Sequence, residues 1–89
     1  MNEIVNQRKY YKVVSEALAH CSMSEKIREI SNTETLDFEI SAIAQAIDVN
    51  NTESKLSEFI SKFINQSFDG NFKASEFVDA AREILRKYN

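Results

Sequence analysis

Along most of the chain, apolar residues recur at three- and four-residue steps, the spacing that stacks side chains on one face of an α-helix. The stretch from Glu34 to Val49 (ETLDFEISAIAQAIDV) carries such residues on two sides at once. Leu36, Ile40, Ile43 and Ile47 fall on one face, while Phe38, Ala42 and Gln45 fall opposite at 100° per residue. A surface helix ordinarily buries one stripe and keeps the other polar. Either this helix is the central rod of a small bundle, or Phe38 is held outward for a partner.

Four further helices follow from the same periodicity. In residues 3–21, Ile4, Tyr11, Val14, Leu18 and Cys21 share a face. A short helix over about 23–31 would bury Met23, Ile27 and Ile30, opened by the capping-box spacing of Ser22 and Glu25. Thr33 or Thr35 can cap the third helix, whose first turn holds Glu34, Asp37 and Glu39, where negative charge complements the helix dipole. The loop Asp48–Thr52 leads to a helix over about 53–67 presenting Leu56, Phe59, Ile60, Phe63 and Ile64. Gly70, free to take a left-handed backbone, is expected to stop it. The last helix, about 74–88, shows Phe77, Val78, Ala81, Ile84, Leu85 and Tyr88, with a cationic final turn.

Proline is absent and glycine occurs once in 89 residues, so little in the chain breaks helices or makes sheet turns. The expectation is an all-α single domain over 1–89, a small bundle of four to five short helices. At this length folding hides roughly 60–65% of the extended-chain surface, enough for one core without disulfides but with a slim margin that a dimer would widen. No apolar run reaches the ~20 residues of a membrane span, and the N-terminus lacks an apolar signal region. A lone cysteine fits a reducing compartment, so a cytoplasmic location is expected.

Candidate chemistry is sparse. His20 and Cys21 are adjacent, but neighbours on a helix diverge by about 100° and do not face each other. Two ligands fall short of a zinc site, and the carboxylate pairs Glu25/Glu29 and Asp79/Glu83 read as solvated helix neighbours. Phosphate-loop and nucleophile-elbow motifs are missing. The expectation is a non-enzymatic protein that needs no cofactor. Arg8, Lys9 and Lys12 beside Tyr10 and Tyr11 could stack on nucleic acid, yet the net charge of −3 disfavours general phosphate binding.

The most specific local pattern is Asn65-Gln-Ser-Phe-Asp-Gly-Asn-Phe-Lys-Ala-Ser-Glu76, between two amphipathic helices. It resembles an EF-hand loop, which implies Asn65, Ser67, Asp69, the Asn71 carbonyl and Glu76 as calcium ligands around a turn at Gly70. It departs from that pattern in Asn for the opening Asp, in Phe68 and in Lys73 at the water-mediated position. Only Asp69 and Glu76 are anionic, and no partner loop of this kind occurs in residues 1–50. The competing reading is a helix–turn–helix corner with Phe72 and Phe77 packed across it.

Charge gives the strongest functional pointer. From residue 29 to 54 the chain has six acids (Glu29, Glu34, Asp37, Glu39, Asp48 and Glu53) and no Lys or Arg, while both ends are basic. An outward Phe38 would be an aromatic anchor among carboxylates, suited to a basic protein. By size and charge the chain is comparable to immunity proteins and phage-encoded inhibitors. The expected function is an inhibitor or immunity-type module neutralising a nuclease, toxin or nucleic-acid-binding enzyme through helix 34–48. Its site would comprise Glu34, Asp37, Phe38, Glu39, Ala42, Gln45 and Asp48. A calcium-responsive module and a self-associating homodimer are the alternatives.

Overall fold

The computed structural model describes residues 2–31 and 36–88, with side chains from Tyr10 onward. Among these residues there are five α-helices: α1 (Asn2–His20), α2 (Ser24–Ser31), α3 (Asp37–Gln45), α4 (Glu53–Phe68) and α5 (Val78–Tyr88). A 3-10 turn, Ala74–Phe77, leads into α5. The Cα radius of gyration is 12.0 Å, matching the ~12 Å of a compact chain of this length. No described helix is long and apolar enough to cross a membrane.

The core lies where α1, α3, α4 and α5 meet. Helix α4 packs against the 3-10 turn, α5 and α3, while α1 packs against α3 and α5. Val14 and Leu18 of α1, Ile40, Ile43 and Ile47 around α3, Leu56, Ile60 and Ile64 of α4, and Phe77 and Ile84 are buried. Phe77 is fully enclosed, and Phe72 meets its ring edge-on at a centroid distance of 5.2 Å. Cys21 and Ile27 extend this cluster towards α2. The expected apolar faces are thus largely the buried ones; Ile4 lies outside the described side chains.

Helix α4 departs from expectation in a way that matters for the surface. Its buried stripe includes Ser57 and Ser61, while Phe59 and Phe63 are only half-buried. The serines fit because each hydroxyl returns to its own helix: Ser57 Oγ donates to the Ser54 carbonyl at 3.0 Å, and Ser61 Oγ to the Glu58 carbonyl at 3.0 Å. A small hydroxyl satisfied this way can lie in a tight helix contact where a phenyl ring has no room. The two rings are left on the side facing α3.

The helix ends also correct the sequence reading. Ser22 forms no capping box; its backbone N–H donates to Asp79 Oδ2 of α5 at 2.9 Å, and α2 starts at Ser24. Thr33, Thr35 and Glu34 lie outside the described residues, and Leu36 occupies the N-cap of α3 without a side-chain bond. Thr52 caps α4, its Oγ1 accepting the Lys55 N–H at 3.1 Å. At the other end, Asp69 and not Gly70 takes the left-handed conformation, with φ 54°. Gly70 is needed for space: a Cβ there would lie 3.0 Å from Asn65 Oδ1 and 3.3 Å from Ile30 Cδ1.

Candidate functional site

Helix α3 ends at Gln45; Ala46 is its C-cap, with φ −97° and ψ 4°, and residues 46–49 form a turn. The Ala46 N–H reaches the Ala42 carbonyl and the Asn50 N–H reaches the Ala46 carbonyl, the latter at 3.0 Å. Ile47 is thereby carried into the core and Val49 outward. Phe38, Ala42 and Gln45 follow one another at steps of four and three on the side of α3 away from Ile40 and Ile43, and exposed Val49 of the turn stands at the next four-residue step, so that the four make one seam in sequence. At 1.5 Å per residue its helical part, Phe38 to Gln45, is about 10 Å long.

The seam is largely uncovered. Phe38 is 72% exposed and Val49 73%, the two large hydrophobic residues exposed among those described. Gln45 is exposed and Ala42 half-buried. The Phe38 ring lies 5.7 Å from that of Phe63, which lies 5.7 Å from that of Phe59. The displaced rings of α4 therefore extend the apolar seam sideways into a three-phenyl patch.

The expected carboxylates divide. Asp37 and Asp48 are exposed on the flank of α3 nearer α1 and α5, where each is clasped by a tyrosine: the Tyr11 hydroxyl donates to Asp37 Oδ1 and the Tyr88 hydroxyl to Asp48 Oδ1. Hydrogen bonding to Asp37, helped by partial burial, pushes the Tyr11 phenol above its ordinary pKa. Glu39 lies on the opposite flank by helix geometry and is only 8% exposed, so it is no part of an open charged rim. Glu34 is outside the described residues. Beyond the patch, on the outer side of α4, stand exposed Lys55, Glu58 and Lys62.

The 65–76 segment is a corner built from its own side chains. Asn65 grips the Phe72 backbone twice: Nδ2 donates to the Phe72 carbonyl at 2.9 Å and Oδ1 accepts the Phe72 N–H at 2.8 Å. Glu76 Oε1 accepts the Lys73 N–H at 2.9 Å, and Ser67 and Asn71 are exposed. Thus Asn65 and Glu76, the first and last residues of the calcium-loop pattern, are turned to backbone groups. Among the described residues no group of three or more His, Cys, Asp or Glu is arranged to hold a metal ion.

His20 is exposed and Cys21 buried, the latter's Sγ donating to the Leu18 carbonyl at 3.4 Å. Burial raises the Cys21 thiol pKa. Both line a groove of about 310 Å³ between α1 and α5 with Glu16, Asp79, Glu83 and Lys87. Lys87 pairs there with Glu83 at 3.5 Å and Glu16 at 3.7 Å. A second groove, about 460 Å³, runs between α1, α2 and α3 over Leu18, Ile27, Leu36 and Ile40. Sequence periodicity found the seam's Phe38, Ala42 and Gln45 but missed Val49 and Phe63. Extending the four–three–four steps would have reached Val49; Phe63 carried no signal, since its spacing is that of a core position. Compared with protein-family models, with curated proteins and with solved structures, the chain matches none.

Proposed function

We propose that this protein is a non-enzymatic docking module whose outer α3 face binds another protein, and that it acts as an inhibitor or immunity-type partner of a basic protein such as a nuclease, toxin or nucleic-acid-binding enzyme. The observation that carries the reading is the shared seam of Phe38 and Val49. Singly exposed hydrophobic residues are ordinary on any surface. Here the two exposed ones stand on α3 and on the turn that directly follows it, and Phe63 and Phe59 broaden the Phe38 side. An aromatic residue projecting from a rigid helix is the kind of anchor that dominates protein interfaces. The acidic run from 29 to 54 supports a basic partner, with Asp37 and Asp48 as the exposed carboxylates nearest the seam.

Affinity capture from the native host, with masses identified, tests this using the wild-type chain and Phe38→Asp as parallel baits. The expected result is a basic protein retained by the first and lost from the second, both baits having the same helical circular dichroism. Identical sets of captured proteins would dismiss the α3 face as the docking surface.

A further inference from the structure

Resting on that docking role, we propose that the segment seated on α3 is a basic amphipathic helix, with Lys or Arg along the edge that meets Asp37 and Asp48. The four–three–four steps of Phe38, Ala42, Gln45 and Val49 are those of the seam in a two-helix coiled coil, in which each apolar residue enters a hole in the facing helix. In such a pairing the residues beside the seam set partner choice and orientation by charge. One edge of this seam is formed by Ser41 and Asp48, with Asp37 just beyond. The other is formed by Glu39 and Ala46; from Phe38 the ring contacts run on to Phe63 and Phe59 of α4, and Lys55 and Lys62 line a groove together with Phe59.

The electrostatics are therefore lopsided. Among the described residues, neither Asp37 nor Asp48 is paired with a cation; each accepts from a neutral phenol, which fixes its position and leaves its charge in place. Across the patch the outer edge of α4 carries two lysines to one glutamate. A docked helix meets negative charge on one side and net positive charge on the other, which selects cationic side chains for the Asp37/Asp48 side. Polar Gln45 within the seam calls for a polar residue opposite, which fixes register.

A second copy of the chain fits less well. In an antiparallel two-fold pairing, Phe38 of one copy would face Val49 of the other, an acceptable apolar match. The same operation lays each Asp37/Asp48 edge alongside its own equivalent, four carboxylates with no cation between them, on molecules each of net charge −3.

Two labelled helical peptides of about eighteen residues provide the test. Both carry an apolar seam at four–three–four steps with one asparagine; one has lysine along a single edge, its twin glutamate. Fluorescence anisotropy is read against wild type, Phe38→Ala and the Asp37→Lys/Asp48→Lys pair. At low salt the lysine peptide should bind wild type at least about tenfold more tightly than its twin, the gap closing as salt screens it. Phe38→Ala should weaken both peptides, and the double charge reversal should invert the preference. Equal affinity of the two peptides for wild type, or binding of neither, overturns the basic helix, while the docking face itself is judged separately by the capture experiment. Concentration-dependent dimerisation of wild type that Phe38→Ala abolishes would overturn it too, in favour of a second copy.

Discussion

The corner after α4 assigns its two neighbouring residues roles opposite to those that residue type implies. Asp69 holds the left-handed conformation that glycine adopts without strain, and Gly70 occupies a site where a Cβ would crowd Asn65 Oδ1 at 3.0 Å. Asp69→Gly should therefore raise unfolding stability by ~0.5–1 kcal/mol. Gly70→Ala should lower it by ~1 kcal/mol or more, since Asn65 must shift and its grip on Phe72 loosens. Urea unfolding midpoints of the two variants check the opposite signs. In the sequence, Gly70 was legible as the place where α4 stops, but the register of the left-handed residue was not. Periodicity says where a helix ends to within a residue or two, and only the crowding around the turn decides which residue reverses the backbone.

At the scale of elements, side chains that read as local caps turn out to connect distant helices. Ser22 is three residues before Glu25, yet its amide is drawn to Asp79 of α5. Partial burial tends to raise the Asp79 carboxyl pKa, but bonds from the Ser22 and Ala80 amides and the Ser22 hydroxyl outweigh it, and the pKa lies below the ordinary 3.8. A folded-state pKa below the unfolded one gives stability that is present above the unfolded value and lost as pH falls through the folded one. Asp79→Asn should accordingly destabilise the protein at pH 7 and make little difference near pH 2. Thermal unfolding of both proteins across that range measures the convergence; a gap unchanged at low pH would assign the effect to packing. The helices themselves were visible from apolar spacing alone. The pairing of their ends was not, because a capping pattern and a long-range bond draw on the same Ser and Asp side chains.

For the whole molecule, two phenylalanines with similar sequence contexts mark the extremes of the fold. Phe77 is wholly enclosed where α4, the 3-10 turn and α5 meet, whereas Phe38 stands 72% exposed. Phe77→Ala should cost ~3–5 kcal/mol, a large part of the ~4–13 kcal/mol available to a domain of this length. Phe38→Ala should change stability by no more than about 0.5 kcal/mol, as befits a surface position. Denaturant titration of the two variants gives the contrast directly, and a large loss for Phe38→Ala would mean that its ring is structural. The all-α bundle was legible because a chain without proline and with one glycine has few other options. The patch around Phe38 was half legible. Two-sided patterning exposed α3, but the choice of Ser57 and Ser61 for the interior, which turns Phe59 and Phe63 outward, depends on how closely neighbouring helices approach.

Tyr11 and Tyr88 reach α3 from the first and last helices, near its two ends, and hold Asp37 and Asp48 at the border of the apolar seam. The two ends of the exposed α3 face are thus fastened by residues almost a full chain length apart in sequence. Trimming as little as the final turn of α5 would release one of these fasteners without touching the seam itself. Under the proposed docking role, damage to that turn would surface as blurred recognition well before it surfaced as a melted core.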